Sequence, residues 1–528
     1  MSRFMQRYEK KMVGHSDVQT VFRNTLKVCG SWLNNVRGID NTRKMEHILQ
    51  HRLSGFSGHI FYANTILNGI ENHYCNRTYR ILLSIAWGIW EYLRSLLATK
   101  ENIIGEFSLS LDKPFGEHTA KTDFCFVVSM ENYLKVLVPV INSLITNGKS
   151  VAVITIYDAR SWNAVNEVSD EVNWIYFEES ISESDKKYYG ENIQFFKKKW
   201  YKDRIIVKKN IKHFSPYVFL AAKRRIQVIF SLMIPRVLLY EKVFSRLIEQ
   251  LHPQEVIVVR LRRAFDICGA EVAKEKGIRT SLIIHGQIFS NYKFFESDGF
   301  FDTDTIYTWG KFQEEIIKAK QKYFSIGECK NFGNPLWDKL FRNYKVDKER
   351  DSEQKNWNQR ILLYMGQSDS FSFFEKFIIA VEKLDHIFLL VKPHPYENIG
   401  TYKSVLDRYQ IKAEIFDAKY DDIDALIRRS DIAFTYTSTT GINIMLNQIP
   451  LVTLNFNKER DIFLTEKIPN SPIAESEEDL IFIAQNILDD MEYRKKILKG
   501  QQDFMEQQLE CDGTAVDKIV FDLLGENG

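Results

Sequence analysis

The stretch FCFVVSMENYLKVLVPVINSLITNGKSVAVITI, residues Phe124 to Ile156, decides the fold class of this chain. Two short apolar runs flank a segment whose apolar residues recur at helical spacing and which closes at Gly148. Strands that are covered by helices on both faces lose the alternation of apolar and polar residues, and neither run shows that alternation. The stretch therefore predicts a βαβ unit of a parallel sheet.

The same alternation of apolar runs and helical segments recurs in two series along the chain. The first series continues with the apolar runs VNWIYFEE, VIVVRL and SLIIHG. A helix predicted over Asp266 to Lys276 separates the last two of these runs. The runs of the second series are RILLYMG, HIFLLVKPHP, AEIFDA, IAFTYTS and PLVTLNF. Alternating strands and helices predict an α/β protein with two Rossmann-like parallel-sheet domains in tandem, facing a cleft.

The domain boundaries follow from changes in composition. Residues 1–110 have weak helical periodicity and predict a helical N-terminal extension. The first Rossmann-like domain is predicted over 111–340 and carries a basic insertion at 180–250. The charged stretch from Lys345 to Asn356 is typical of a linker or long loop, and the second Rossmann-like domain is predicted over 341–528.

Composition excludes several classes of protein. The chain has 528 residues, 45% of them hydrophobic, and its 71 Lys and Arg against 69 Asp and Glu give a formal net charge of +2. This balance argues against a nucleic-acid partner. The six cysteines form no CxxC pair, so the spacing predicts neither a zinc site nor a disulfide framework. Scattered cysteines of this kind favour a reducing cytoplasm. No run reaches the roughly 20 apolar residues of a membrane span, so we expect no integral membrane segment.

The basic insertion interleaves cations with aromatic rings from Asp185 to Arg225. Cations attract phosphates and carboxylates, while rings cover sugar or acyl surface. Residues 186–225 therefore predict a peripheral contact with anionic headgroups on the inner face of the cell membrane, or with an anionic polymer. A solvated helical face is the alternative.

Ligands of parallel α/β sheets bind beyond the carboxyl ends of the strands, so the residues that follow each apolar run are candidates for chemistry. After SLII stand His285, a candidate base, and Gly286, which would let the backbone approach a ligand. A structural histidine is the alternative. In the turn GNPLWD, Asn334 and Pro335 predict a crossover between domains, with direct ligand contact as the alternative.

The stretch LLVKPHP ends a strand on a cation and an imidazole. Pro393 and Pro395 stiffen the loop around His394, and Lys392 adds a positive charge two residues away. Both side chains can donate hydrogen bonds to phosphate oxygens. Because a leaving nucleotide gains negative charge, this pair would favour the transition state of a transfer from a nucleotide-linked donor.

The stretch TYTSTTGINIML supplies a second anion site. It places the hydroxyls of Ser438, Thr439 and Thr440, followed by Gly441, between an apolar run and a helical pattern. Hydroxyls and free amides at such a position bind phosphate, and ordinary N-capping is the alternative. The acidic cluster Asp421, Asp422 and Asp424 predicts a helix start.

The order HG, WG (Trp309-Gly310), GNPLWD, VKPHP and STTG followed by N-x-x-L-N-Q-I-P-L-V resembles GT-B glycosyltransferases and related transferases of bacterial surface polysaccharides. The similarity extends to capsular polysaccharide transferases, polysialyltransferases and CDP-glycerol glycerophosphotransferases, and it covers about residues 123–500. The resemblance implies a GT-B fold without a required metal ion or other cofactor, because Lys, His and helix-end amides replace the cation in that class.

The resemblance also assigns roles to residues. It implies donor-phosphate contacts by His394 with Pro395 and by Ser438 with Thr439. The glycerophosphotransferase likeness implies His285 as the catalytic base. The stretch Glu296-Ser297-Asp298-Gly299 partly echoes the acidic motif of polysialyltransferases and makes Asp298 a second candidate. Asn443 and Asn447 stand where nucleotide-sugar members carry a ribose-binding Glu, which favours a cytidine nucleotide.

These features together predict an inverting glycosyltransferase. Its nucleotide-activated donor, held by the C-terminal Rossmann-like domain, is a CMP-sugar in preference to a UDP-sugar. Its acceptor, which approaches across the N-terminal Rossmann-like domain, is a surface polysaccharide or a lipid-linked glycan. The alternatives are a CDP-glycerol-type glycerophosphotransferase, a nucleotide-sugar 2-epimerase and a non-catalytic subunit of a polysaccharide-assembly complex.

Overall fold

The structure is a computed structural model. It describes residues 111, 113, 115–116, 120–210, 232, 234–259, 263–286, 302–319, 326–347, 360–367, 371–394, 397–417, 422–436, 438–458 and 467–525. The predicted extension over 1–110 lies outside these residues, as do Asp298 and Pro395. Contacts divide the described residues into two compact units. The first comprises those up to Ile283, those from 302 to Ile306 and those from 326 to Glu328; the second comprises all others.

The first sheet has the order β3-β2-β1-β4-β5-β6-β7. Its strands are β1 (Phe124–Val128), β2 (Val151–Thr155), β3 (Asn173–Tyr176), β4 (Glu255–Val258), β5 (Arg279–Ile283), β6 (Thr305–Thr308) and β7 (Glu328–Asn331). The central strand β1 pairs in parallel with β2 and with β4. Its five residues are all buried, which is why this run carries no polar residue.

The second sheet has the order β10-β9-β8-β11-β12-β13. Its strands are β8 (Arg360–Met365), β9 (Ile387–Lys392), β10 (Ala413–Ile415), β11 (Ile432–Thr435), β12 (Leu451–Leu454) and β13 (Ile473–Ala474). The central strand β8 pairs in parallel with β9 and with β11. Both sheets thus begin at a central strand, extend to one side and then to the other, as a Rossmann sheet does.

Thirteen α-helices connect and follow these strands in the part of the chain that the structure describes. They are α1 (Glu131–Thr146), α2 (Glu183–Asn210), α3 (Ile234–Leu251), α4 (Ala264–Glu275), α5 (Lys311–Lys318), α6 (Pro335–Asp347), α7 (Phe371–Val381), α8 (Ile399–Tyr409), α9 (Ile423–Arg429), α10 (Thr440–Leu446), α11 (Glu477–Asp489), α12 (Met491–Gln508) and α13 (Ala515–Leu523).

Aromatic rings fill the core on one face of the second sheet. Tyr364 of β8 lies 4.8 Å from Phe374 and 5.0 Å from Phe377 between ring centroids, and Phe374 lies 4.6 Å from Tyr402 of α8. All four side chains are buried. Burial of side chains this large contributes much of the stability of the sheet, and it fixes α7 and α8 over β8.

The predicted α/β class with two Rossmann-like parallel sheets is confirmed, and two such sheets in one chain are what the GT-B prediction requires. Ten of the observed strands coincide with predicted runs. The other three, β6, β7 and β13, were not predicted. Strand β7 is polar and partly exposed, and β13 has only two residues, so neither forms an apolar run. The helix predicted over Asp266 to Lys276 is α4, which begins two residues earlier.

The prediction of a basic aromatic surface at 186–225 is wrong for two of its rings. Tyr189 and Phe196 of α2 are buried, at 8% and 2% exposure, because helical spacing turns them inward, whereas Phe195 and Tyr201 are 44% and 64% exposed. Asp185 forms ion pairs with two cations of α3. Residues 211–231 of the insertion lie outside the described residues.

The described residues lack two kinds of feature. They contain no helix whose length and apolar character would allow it to cross a membrane. They also contain no group of three or more His, Cys, Asp or Glu side chains arranged to hold a metal ion. The prediction that no metal ion is required stays a prediction.

Candidate functional site

The two strongest sequence signals meet at one edge of the second sheet. Strand β9 ends at Lys392, which pairs with Met365 at the end of β8, and β11 ends on the other side of β8 at Thr435. The chain leaves β8 toward β9 on one side, and β11 lies on the other, so the switch point of this sheet is the gap between β8 and β11. Neighbouring strands are about 4.8 Å apart, so the ends of β9 and β11, from which the KPHP and STTG segments lead, are about 10 Å from each other.

Lys392 is a buried cation at this edge. The residue is only 5% exposed. Its backbone carbonyl accepts a hydrogen bond of 2.8 Å from the Gly366 amide. Lysine is almost never buried without compensation from polar or charged groups. Lys392 therefore brings positive charge into the protein layer directly below the loops at the strand ends.

The loop of His394 is held by an acid that the sequence reading missed. The backbone N–H of His394 donates to Glu397 Oε2 at 2.9 Å, and the N–H of Glu397 donates to the His394 carbonyl at 2.8 Å. The hydroxyl of Tyr402 donates to the same Glu397 oxygen at 2.6 Å. The histidine itself is half-buried. The loop owes its shape to this carboxylate as well as to Pro393.

Gly366 is a second residue that the sequence reading missed. A Cβ atom at this position would lie 2.8 Å from Glu397 Oε2, 2.8 Å from Tyr402 Oη and 3.2 Å from the His394 amide nitrogen. Real Cβ atoms do not approach that closely, so a glycine at the end of β8 makes room for the support of the histidine loop. The signal was present in the run RILLYMG, where a glycine directly follows a strand.

Tyr402 and Glu397 form a fixed pair under the loop. Burial, with the neighbouring Tyr364 and Glu397, raises the pKa of Tyr402, so its hydroxyl stays protonated and donates. The other oxygen of the carboxylate, Glu397 Oε1, is buried and has no hydrogen-bond partner among the described residues. This oxygen remains an acceptor beside the strand ends.

The STTG segment presents hydroxyls and also caps its own helix. The hydroxyls of Ser438 and Thr440 are hydrogen-bonded to each other, and the Thr440 amide donates to Ser438 Oγ at 3.3 Å. Thr439 is half-buried and Gly441 is buried. Helix α10 has only seven residues, so its end adds little to anion binding, and the hydroxyls are the main polar groups of this segment.

Asn443 and Asn447 of α10 serve a carboxylate from a neighbouring helix. Both side-chain amides donate to Asp424 Oδ1 at 3.3 Å. Burial raises the pKa of Asp424, and the Asn443 amide opposes that rise. The predicted helix start is confirmed, because Asp422 is the N-cap of α9 and accepts from the Asp424 amide at 2.9 Å. Asp424 therefore places an acid beside α10, although the helix itself contributes only the side-chain amides of Asn443 and Asn447.

His285 follows β5 after one intervening residue and is half-buried. The indole N–H of Trp309 donates to the carbonyl of Ile284 at 2.8 Å, and Gln313 Nε2 donates to the carbonyl of Gly286 at 3.3 Å. These bonds fix the backbone on both sides of the histidine. A Cβ at Gly286 would meet nothing within 4 Å, so packing in this structure does not require the predicted glycine there.

The GNPLWD turn holds the C-terminal segment of the chain. Gly333 has a φ of 94°, and a Cβ there would lie 2.3 Å from the carbonyl oxygen of Glu510. Asn334, which is buried, accepts from the Leu336 amide at 3.1 Å, and Pro335 begins α6.

The acid that closes the same turn, Asp338, accepts from the amides of Ala515 and Val516 at 3.0 and 2.8 Å. These two amides belong to the first turn of α13, so Asp338 supplies the cap of that helix. The observed contacts of the motif are structural. They tie the end of the chain to α6.

The comparisons with known proteins come from structure alone. No protein-family model matches the sequence, and no curated protein matches it. The chain is similar to the UDP-GlcNAc 2-epimerase of Neisseria meningitidis bound to UDP-GlcNAc, with 10% identity, 76% of this chain and 100% of that chain covered, and a TM-score of 0.49.

Two further solved structures are also similar. MurG of Acinetobacter baumannii has 12% identity over 77% of this chain and 99% of that chain, with a TM-score of 0.44. The wall teichoic acid polymerase TagF has 11% identity over 82% of this chain and 97% of that chain, with a TM-score of 0.45. Likenesses with TM-scores and identities this low carry no argument about what this chain binds.

Proposed function

We propose that this protein is a metal-independent GT-B transferase that moves a sugar from a nucleotide-activated donor to a surface polysaccharide or lipid-linked glycan. The observation that carries the proposal is the meeting of Lys392, His394 and the hydroxyls of Ser438 and Thr440 at the switch point of the second sheet. A cation, an imidazole and two hydroxyls that stand at or after strand ends about 10 Å apart match the needs of a diphosphate or a phosphodiester.

In this proposal the donor phosphates lie across the ends of β9, β8 and β11. His394 and Lys392 donate to phosphate oxygens, and their contribution grows as the leaving nucleotide gains charge. His285 takes the proton of the acceptor hydroxyl, which then attacks the donor carbon and displaces the nucleotide with inversion. A CMP-sugar is the favoured donor on the sequence resemblance, in which Asn443 and Asn447 stand where nucleotide-sugar members carry a ribose-binding glutamate.

The test is a calorimetric titration with CMP, CDP, UDP and GDP. We expect one nucleotide to bind selectively and its affinity to fall by one to two orders of magnitude in His394→Ala, about 1.4 to 2.8 kcal/mol. A matched control is His386→Asn. His386 immediately precedes the first residue of β9, at the end of the strand away from His394, and its φ of 57° is one that asparagine tolerates. Absence of binding, or equal loss in both variants, would reject the donor site.

The enzymatic class needs a second measurement. A transferase should bind nucleotide in His285→Ala and lose turnover, while a non-catalytic assembly subunit would lose neither partner nor function in that variant. An epimerase would release an epimerised or free sugar from UDP-GlcNAc without any acceptor, which product analysis detects.

We also propose that the protein works in the cytoplasm at the inner face of the membrane. The exposed Phe195 and Tyr201 of α2, with Lys197 and Lys198, suit an anionic lipid surface. Binding to vesicles with anionic lipid should weaken as salt rises, and it should weaken further in a variant with both lysines changed to Glu. Equal binding to neutral vesicles would contradict this proposal.

A further inference from the structure

The HG turn, Ile284 to Gly286, carries His285 and belongs by its contacts to the second compact unit. Strand β5, which leads into the turn, belongs to the first unit. The donor groups Lys392 and His394 are in the second unit as well. The contacts that fix the proposed base are therefore mainly those made by other residues of the second unit.

Two buried side chains hold the HG turn, one on each side of His285. The indole Nε1 of Trp309 donates to the Ile284 carbonyl at 2.8 Å, and Gln313 Nε2 donates to the Gly286 carbonyl at 3.3 Å. Trp309 is 1% exposed and Gln313 is 0% exposed. Because both flanking carbonyls are bonded to buried groups, the backbone of His285 is restrained from both directions.

Helix capping explains only one of the two bonds of Gln313. This residue is the third of α5, where a glutamine or glutamate often accepts from an amide at the helix start, and its Oε1 accepts from the Trp309 amide at 2.9 Å. An ionised glutamate would serve that purpose equally well. Only the amide side chain can also donate to the Gly286 carbonyl. The second bond therefore serves the HG turn and not the helix.

A segment near the end of the chain holds Trp309 in turn. The Trp309 carbonyl accepts from the amide of Glu510 at 2.8 Å. A Cβ atom at Gly310 would lie 2.3 Å from the carbonyl oxygen of Gln508 and 2.7 Å from the Cα of Leu509, so the glycine allows this segment to approach. Residues 508–510 thus fix the backbone from which the indole reaches the HG turn.

A general base needs this kind of restraint. It must stand within roughly 2.6 to 3.2 Å of the atom whose proton it takes. A displacement of about 1 Å can lower the rate by about 100-fold. His285 is half-buried and lies in a turn, so its position depends on the backbone around it. Buried side chains whose polar atoms bond to that backbone supply the necessary precision.

We propose that Trp309 and Gln313 are positioning residues for the base His285, and that residues 508–510 keep both of them in place. The role of His285 as the base rests on the proposed transferase function. The positioning is a property of the HG turn that can be measured without turnover. Neither Trp309 nor Gln313 touches the substrate in this proposal, and both act through the backbone of the turn.

The first test observes His285 itself. Nuclear magnetic resonance is recorded on the full chain with histidine carbon-13 labelled at Cε1, and the signal of His285 is the one that His285→Ala removes. In Gln313→Ala we expect this signal to move or broaden by more than its own line width. At pH 5.5, where a buried carboxyl holds its proton and can donate to Gly286, Gln313→Glu should bring the signal back toward that of the wild type. An unchanged signal in Gln313→Ala would overturn the proposal.

The second test separates positioning from packing. Trp309→Phe removes the indole donor, while the control Trp337→Phe removes the same part of a buried indole 4.8 Å away that forms no hydrogen bond with the HG turn in the described structure. Turnover is measured as nucleotide release from CMP-N-acetylneuraminic acid, CDP-glycerol and UDP-GlcNAc, with water as the acceptor. We expect Trp309→Phe to lower kcat at least tenfold with KM within twofold, and Trp337→Phe to keep both within twofold. Equal losses of kcat in the two variants would reduce Trp309 to a packing role.

The third test concerns residues 508–510. Gly310→Ala would push this segment away from Trp309, whereas in the control Gly500→Ala the new methyl group would lie 1.8 Å from the Pro469 carbonyl oxygen instead. Both variants should lose stability, but only Gly310→Ala should move the His285 signal. Movement in both variants, or in neither, would reject the role of the segment.

A further variant covers the case in which Gly310→Ala folds poorly. Glu510→Pro removes the amide that donates to Trp309, and Leu509 before it already has the extended backbone that precedes a proline, with φ −121° and ψ 148°. The His285 signal should move in this variant as well, and an unmoved signal would again reject the role of the segment.

Nucleotide titration separates this inference from the proposed function. Gln313→Ala and Trp309→Phe should bind nucleotide as the wild type does. If nucleotide binds and is released from a donor, but no variant moves the His285 signal, the transferase function stands and the positioning role is rejected. If the signal responds while no nucleotide binds and no donor is turned over, the transferase function is rejected, and the catalytic role of the HG turn falls with it.

Discussion

The two sheets have the same strand order around their central strands, yet opposite chemistry stands at their switch points. The first sheet ends in an acid, Asp266, whose exposure is 0%. The second ends in a cation, Lys392, an imidazole and a pair of hydroxyls. The comparison shows that topology decides where a ligand can bind, while the few residues after each strand decide what it can be.

The supporting groups differ as well. In the first sheet the acid, Asp266, accepts from Ser129 through one oxygen, and its other oxygen has no hydrogen-bond partner among the described residues. In the second sheet the acid, Glu397, uses one oxygen to hold the His394 backbone and the Tyr402 hydroxyl. The acid of the first sheet thus bonds to Ser129 beside the end of β1, while the acid of the second sheet supports the histidine loop. Four substitutions test this difference.

The largest effect is expected at Asp266. The unfolded carboxyl ionises near 3.8 and the folded one near 7, so the folded state holds its proton over that interval and loses stability as pH rises. Relative to wild type, the free energy of unfolding of Asp266→Asn should therefore increase between pH 4 and pH 8 by on the order of 4 kcal/mol. Urea unfolding of both proteins across this range measures it. A difference that stays constant with pH would show that Asp266 is not held protonated.

The next effect is expected at Gly366. In Gly366→Ala the new methyl group would meet Glu397 and Tyr402 at 2.8 Å, so the support of the histidine loop must shift. We expect a loss of about 1 to 3 kcal/mol in stability, together with weaker nucleotide binding. Gly190→Ala is the control, because nothing lies within 4 Å of a Cβ there. Equal thermal melting of Gly366→Ala and wild type would contradict the role of this glycine.

A smaller effect is expected at Tyr402. Tyr402→Phe removes the 2.6 Å hydrogen bond to Glu397 and should cost about 1 kcal/mol, with nucleotide affinity reduced by about the same free energy. Tyr409→Phe on the same helix loses a bond of 3.4 Å and should change nucleotide affinity far less. Calorimetric titration of both variants with nucleotide measures this difference. Similar nucleotide affinities in the two variants would argue against the role of Tyr402 in supporting the histidine loop.

The smallest effect is expected at Asn443. Asn443→Ala removes one 3.3 Å bond to Asp424 and should raise the pKa of that half-buried acid further, because the amide favours its charged form. The folded state then pays more to ionise Asp424, so the loss in stability, about 0.5 to 1 kcal/mol, should be present at neutral pH and shrink as the acid takes up its proton. A loss independent of pH would show that Asn443 acts only through packing.

Much of the fold was readable because parallel strands carry a local signature. Continuous apolar runs marked ten strands, and the residues after them, such as His394 and Ser438, were candidates because the carboxyl ends of parallel strands share an edge. Strand β7 was not predicted because it is an edge strand with half-exposed side chains, and such a strand needs no apolar run. The direction of Tyr189 and Phe196 in α2 was also missed, since only packing against α3 turns them inward.

The sequence by itself determined the two parallel sheets and the chemistry at their strand ends, because both depend on short runs of neighbouring residues. Only the tertiary structure showed that Glu397 and Tyr402 hold the histidine loop above Gly366, and that Ser129 and Asp266 meet across 137 positions. Such contacts depend on which strands become neighbours. No local pattern encodes that order, because it is decided by how helices on both faces bury the whole sheet.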